Sequence, residues 1–154
     1  MPSEAISAIL EQARERAKAE GRGYEGEVTP EEAYRLMQEV GARLVDVRTQ
    51  AERDFVGYPG VGEQHVAWET YPGMVVNPDF SDHLRQAVGA DAEQYLVFMC
   101  RSGGRSANAA EAMTQRGYPH CFNLIGGFEG GKDEQGHRGT KAGWKAEGLP
   151  WGQE

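Results

Sequence analysis

Cys100 and Cys121 are the two cysteines of a 154-residue chain, and Cys100 stands where chemistry is possible. In "YLVFMCRSGGRSANAA", residues 95 to 110, it closes a fully apolar run and opens onto two glycines, two arginines and then alanines. A cysteine that only fills space lies inside such a run. If a helix starts directly after "CRSGGR", the backbone N–H groups of the loop converge on one point with the positive end of the helix behind them. Gly103 and Gly104 supply the freedom for that tight curl, and Arg101 and Arg105 add permanent positive charge. Every one of these terms favours the thiolate, which is the form that attacks. The same donors, from Arg101, Ser102, Gly103, Gly104, Arg105 and Ser106, would hold an anion beside the sulfur. The loop is predicted to be nucleophile and anion cradle at once.

The elements that must position this loop follow from patterning. Ile6, Ile9, Leu10 and Ala13 recur at helical spacing after Ser3, so an amphipathic helix is predicted to about Glu20. Thr29 as cap, Pro30 at the first helical position and Glu32 three residues past the cap predict a second helix in "TPEEAYRLM". "ARLVDVRT" is a buried strand that becomes charged at its end, and Thr49 with Glu52 predicts another capped helix. From Gly57 to Pro78 the chain is expected to be mostly ordered loop, with one short strand possible in "HVAWETYP". A helix is predicted in "NPDFSDHLRQAV" with Asn77 or Asp79 as cap. The strand "YLVFMC", the helix "SANAAEAMTQRGY" closed by Gly117, and the strand "HCFNLIGGF" complete the series. Strands alternating with helices imply an α/β fold with a parallel central sheet and helices on both faces. In such sheets the site lies outside the carboxyl ends of the strands, where Cys100 falls.

Composition narrows the partners. With 24 acidic against 16 basic side chains the formal net charge is −8, the opposite of a nucleic-acid binder's basic footprint. No apolar run approaches the roughly 20 residues needed to span a bilayer, and the mixed charges of the first helix suit neither a signal peptide nor a membrane anchor. A cytoplasmic protein with reduced thiols is expected. His65, His83, His120 and His137 are scattered without ligand spacing, so no metal site is predicted.

Two chemistries use a loop running from Cys to Arg. Tyrosine-type phosphatases have five residues between the two, enough to wrap a phosphoryl group; between Cys100 and Arg105 there are four. A smaller ring of amides suits a smaller target, the outer sulfur of a persulfide on the cysteine itself. This loop after an apolar strand resembles that of the single-domain rhodaneses, a family of sulfurtransferases. "LVDVRTQAE" at 44 to 52 is similar to the family's strand-end D-x-R with its following glutamate, and "NLIGGFEG" at 123 to 130 to its last strand and glycine turn. Where many members have a short G-H-I-P-G-A segment, this chain has the longer "GYPGVGEQHVAWETYPGM", without histidine in the equivalent place.

The resemblance implies a rhodanese-like domain over residues 27–131, a helical extension at 1–26 and an irregular tail at 132–154 packed on the domain. It implies a ping-pong sulfur transfer through a Cys100 persulfide, with a small anionic donor such as thiosulfate or a persulfide, a thiol or cyanide as acceptor, and no metal or organic cofactor. A protein persulfide could serve as donor or acceptor, and the chain could be a monomer or a homodimer. Asp46 and Arg48 match the D-x-R, and both are expected to act as scaffold behind the loop. Asp46 would bond the loop or Arg105, and Arg48 would pair with Glu52, because buried charges require partners. Cys121, beside Phe122 and Leu124, reads as a core residue, with a resolving thiol as the alternative. Trp144 and Trp151 would either cover the mouth of the site or staple the C-terminus to the sheet. The competing functions are a phosphatase or arsenate reductase of related fold, and a non-enzymatic sulfur-sensing or binding module.

Overall fold

Helix α1, Glu4–Ala19, leads into β1, Gly26–Val28, and then α2, Pro30–Val40. The computed structural model describes residues 3–70, 75–130 and 143–152. The capping expected for the first two helices is present: Ser3 accepts from the Ile6 amide, and Thr29 and Glu32 form a reciprocal box at the head of α2. Strand β2, Arg43–Asp46, is followed by α3, Gln50–Val56, which has the same reciprocal box from Thr49 and Glu52. Three two-residue strands follow: β3, Gln64–His65, β4, Glu69–Thr70, and β5, Val75–Val76. The series closes with α4, Phe80–Val88, β6, Leu96–Met99, α5, Gly104–Gln115, and β7, Cys121–Leu124.

The main sheet has five strands in the order β1-β7-β6-β2-β3, and every pairing in it is parallel. Successive residues of β6 face opposite layers. Leu96 and Phe98 pack with Phe80, Leu84, Val88, Ala109 and Met113 of α4 and α5, whereas Val97 and Met99 pack with Ile6, Leu10, Ala33 and Leu36 of α1 and α2. The α/β architecture with helices on both faces is thus the one that the alternation of strands and helices implies. Period-two alternation across a sheet buried on both faces reads in sequence as one continuous apolar run. Among the described residues, no helix is long and apolar enough to cross a membrane.

Three boundaries differ from the sequence reading. Strand β1 has no apolar run to announce it, since it is "GEV"; its identity comes from pairing along β7, with Gly26 opposite Phe122 and Glu27 opposite Asn123. Gly26 fits there because a Cβ would stand 2.7 Å from that of Ala13 on α1. The segment expected as loop with one strand carries three short ones, two of which form a separate antiparallel pair. Helix α5 begins at Gly104, inside the glycine pair, and Gly103 at φ +118° is its cap. At the head of α4, Asn77 takes the Asp79 amide on its side chain, while Asp79, the cap residue, makes no side-chain cap bond.

Of the tail, "KDEQGHRGTK" with His137 lies outside the described residues. Trp144 is 0% exposed in the core layer of α1 and α2, with its indole N–H given to the Pro150 carbonyl at 2.6 Å. Trp144 therefore staples this segment to the domain. Trp151 is partly exposed, stacked edge-on against Phe128 and under the Lys145 ammonium.

Candidate active site

Strand β6 ends at Met99, and Cys100 is the next residue, 1% exposed. Its sulfur accepts the Gly103 amide at 3.0 Å and lies 3.3 Å from the Ser106 hydroxyl. The chain therefore curls from Cys100 over three residues and returns a backbone N–H to the sulfur. The curl depends on Gly103, whose φ of +118° a residue with a Cβ rarely adopts. Helix α5 follows at once, and the first N–H groups of a helix have no partner within it. Twelve residues of aligned peptide dipole stand behind the sulfur.

The back of the loop is held by the turn after β7. The Phe128 amide donates to the Cys100 carbonyl at 2.8 Å, and the Glu129 amide to the Arg101 carbonyl at 3.0 Å. Gly127 makes this approach possible: at φ +62° a Cβ there would stand 2.7 Å from the carbonyl carbon of Arg101.

The flanking charges are arranged differently from the sequence reading. Arg105 pairs with Glu52, through two hydrogen bonds of 2.6 and 2.8 Å. Asp46 pairs with Arg48, through 2.9 and 2.8 Å contacts, both side chains 0% exposed. The partners expected for Asp46 and Arg48 are thus exchanged. The reason is local. Asp46 and Arg48 are two apart where the strand runs out, so both project to one side and close on each other, leaving Glu52 at the head of α3 to meet Arg105. Arg53 adds a further 2.9 Å contact to Asp46, and Arg48 also donates to the Gly57 carbonyl. Arg48 lies 4.4 Å over the Phe128 ring, so this buried pair supports the loop through the turn after β7 and touches none of its polar atoms. His65, paired with Asp46 across β2 and β3, contacts the Arg48 carbonyl at 2.7 Å.

Electrostatics follow from these pairs. Burial raises the Glu52 carboxyl pKa, but the hydrogen bonds and charge of Arg105 outweigh it and hold the group below its usual range. The Arg105 guanidinium, pushed further up by the same pair, is fully engaged by that carboxylate. Arg101, by contrast, is exposed. Its charge is the one at the loop that no carboxylate among the described residues neutralises. Ser102 and Gly104 are exposed as well, while Ser106 is buried under the sulfur.

Cys121 is a different kind of cysteine. It is 0% exposed, its thiol is directed to the Tyr118 carbonyl at 3.2 Å, and burial pushes its pKa up to about 12. It packs in the same layer as Cys100, one strand over.

Sequence reasoning misplaces one residue of the site and passes over two. Glu52 reads there as a helix cap and as a partner of Arg48, not as the anchor of Arg105. Gly127 reads as part of a turn and not as the point where two backbones meet. Asn123 lies inside an apolar strand, and a polar residue there is the signal that could have found it; the Ser106 hydroxyl is 2.5 Å from its Oδ1.

The sequence profile of the rhodanese-like domain matches residues 29–134. A thiosulfate sulfurtransferase, GlpE of Haemophilus influenzae, is 31% identical over 104 residues, 68% of this chain and 85% of that protein. The uncharacterized protein RC0915 of Rickettsia conorii is 35% identical over 120 residues, 75% of this chain and 87% of its own length. Among solved structures, Rv0390 of M. tuberculosis superposes with a TM-score of 0.76 at 41% identity, covering 85% of this chain and 99% of that one. With a matched profile over most of its length and a cysteine loop at the end of its central strand, the chain belongs to the rhodanese-like domain family.

Proposed function

We propose that this protein is a sulfurtransferase that carries sulfane sulfur as a Cys100 persulfide. The observation that supports it most directly is the sulfur itself, taking the Gly103 amide at 3.0 Å at the head of α5. A thiolate there meets fixed dipoles that need no reorganisation when charge moves outward by one atom.

The steps balance without a cofactor. The Cys100 thiolate attacks the outer sulfur of thiosulfate, the bond from that sulfur to the sulfonyl group breaks, and sulfite leaves with the electron pair. The terminal sulfur of the persulfide is then the anion that the loop amides hold. A thiophilic acceptor attacks that terminal sulfur, cyanide giving thiocyanate and a thiolate giving a new persulfide, and the Cys100 thiolate is restored. Arg101 is the charge that draws the dianionic donor; Arg105, spent on Glu52, shapes the loop. A relative that is a thiosulfate sulfurtransferase supports the choice of donor. The sulfur is almost completely covered, which favours a donor no larger than a small oxyanion or an extended persulfide tip.

Thiocyanate formation from thiosulfate and cyanide tests this reading. Turnover should vanish in Cys100→Ser and persist in Cys121→Ser; turnover that survives Cys100→Ser would overturn it.

A further inference from the structure

The Ser106 hydroxyl has one proton to give and three acceptors within reach. Cys100 Sγ is at 3.3 Å, the Gly103 carbonyl at 3.2 Å and Asn123 Oδ1 at 2.5 Å. The shortest contact takes the proton to Asn123, not to the sulfur. The amide is held with its oxygen toward Ser106 because its nitrogen donates to the Gly103 carbonyl at 3.3 Å. Beside it, as its register partner on β1, stands Glu27.

Glu27 is 3% exposed. Its Oε1 takes the Tyr24 hydroxyl at 2.7 Å and lies 3.4 Å from the Arg22 guanidinium, while its Oε2 has no hydrogen-bond partner. A buried carboxylate oxygen without a donor is costly, and the fold gains nothing visible from it. Its neighbour across the register is the Asn123 amide, which interacts with the carboxylate. Both residues line a cleft of about 760 Å³ together with Arg16, Glu20, Arg22 and, from the cysteine loop, Gly103, so the pair borders a space that protons from solvent can enter.

We propose that Glu27 and Asn123 are positioning residues that govern how much of the Ser106 hydroxyl reaches Cys100. With Glu27 ionised, its oxygens can only accept, so the Asn123 nitrogen faces Glu27 and Gly103 and its oxygen faces Ser106. The hydroxyl proton is then withheld from the sulfur. With a donor at the place of Oε2, Asn123 turns its oxygen to Glu27 and its nitrogen to Ser106, giving up its long 3.3 Å bond to the Gly103 carbonyl in exchange for the bond from Glu27→Gln or the protonated carboxyl. The hydroxyl becomes an acceptor toward Asn123, and its proton is free for Cys100. Burial pushes the Glu27 carboxyl up, against the Tyr24 hydrogen bond, the nearby Asn123 amide and the Arg22 charge that hold it down; Glu20 raises it further. Arg16 meets this strand at the Glu27 carbonyl.

The inference rests on Cys100 being the reacting atom, as proposed above, but it is read before any sulfur moves. The rate of iodoacetamide alkylation of Cys100 in the folded protein is followed against pH, with the modified residue located by mass. Glu27→Gln places a donor beside Asn123 and should speed alkylation at pH 6 by roughly fivefold. Asn123→Asp, an acceptor only, should slow it by a similar factor. In the Ser106→Ala background Glu27→Gln should change nothing, because the hydroxyl that conveys the effect is gone. Shifts of the same sign in both single variants, or a Glu27→Gln effect that persists without Ser106, would overturn the proposal. If Asn123→Asp does not fold, Glu27→Gln with and without Ser106 decides alone. A Cys100 inert to alkylation at every pH would remove the proposed function as well, whereas a reactive Cys100 indifferent to Glu27→Gln removes only this inference.

Discussion

Arg105, one residue into α5, grips Glu52 at the head of α3 through two hydrogen bonds of 2.6 and 2.8 Å. The same carboxylate caps α3 by accepting the Thr49 amide. One side chain thus fixes a helix terminus and anchors the cysteine loop, which ties the end of β2 to the end of β6. Arg105→Lys keeps the charge but loses the planar fork. Thiosulfate turnover is expected to fall by about tenfold, with a smaller loss of stability of about 1 kcal/mol, measured by steady-state kinetics beside urea unfolding. Unchanged turnover would show that the loop does not need this anchor.

The same pair sets an acid limit. Because the folded-state pKa of Glu52 is depressed, the stability it contributes is fully present above the ordinary carboxylate range. It is lost as pH falls through the depressed value. Glu52→Gln should therefore flatten the acid limb of the unfolding free energy measured in urea between pH 6 and pH 3, relative to wild type. An identical slope in both proteins would show that Glu52 is not coupled to folding.

Gly127→Ala is predicted to be the most disruptive single methyl. The added carbon would meet the Cys100 and Arg101 backbone from behind, and the φ of +62° is itself unfavourable for alanine. Loss of stability of about 2 kcal/mol or more should accompany loss of the Phe128 to Cys100 hydrogen bond, seen as faster amide exchange at Phe128. Wild-type melting temperature and exchange would contradict the close approach.

Asp46 and Arg48 are predicted to affect folding far more than chemistry. Removing Arg48 leaves the buried Asp46 carboxylate with Arg53 as its one remaining cation among the described residues, at a cost near the lower end of about 3 to 5 kcal/mol. Arg48→Met should unfold at markedly lower urea, while any fraction that stays folded keeps its affinity for thiosulfate. A stable variant with a raised KM would instead place Arg48 in substrate binding.

Cys121 should resist alkylation in the folded chain at pH 8, since burial pushes its thiol up to about 12. One label per molecule, located at Cys100 by peptide mapping, is the expected result. A label on Cys121, or a disulfide to Cys100 after mild oxidation, would revive its role as a resolving thiol.

Much of this was legible in residue order because the informative signals are local. Thr29 with Glu32 and Thr49 with Glu52 announce their helices within four residues, and "LVFM" announces a strand by having no polar face. The cysteine loop is equally local, its glycines and its helix start being contiguous with Cys100. What was not legible depends on partners brought from elsewhere. Strand β1 exists because β7 offers it a parallel edge. The exchange of partners among Asp46, Arg48, Glu52 and Arg105 depends on which charges face each other once β2 and β6 lie side by side. The two-residue spacing puts Asp46 and Arg48 on one side of the strand end, but no spacing in the sequence brings Glu52 to Arg105. Asn123 and Glu27 fall in the same class, adjacent only because a register sets them opposite.

Intact mass measured after brief exposure to thiosulfate and removal of excess reagent tests the central claim most directly. Wild type should gain the mass of one sulfur atom and lose it again on addition of cyanide, Cys121→Ser should do the same, and Cys100→Ser should remain at its own mass throughout. A Cys100→Ser protein that gains sulfur as readily as wild type, or a folded wild type that gains none, would contradict a Cys100 persulfide as the carrier.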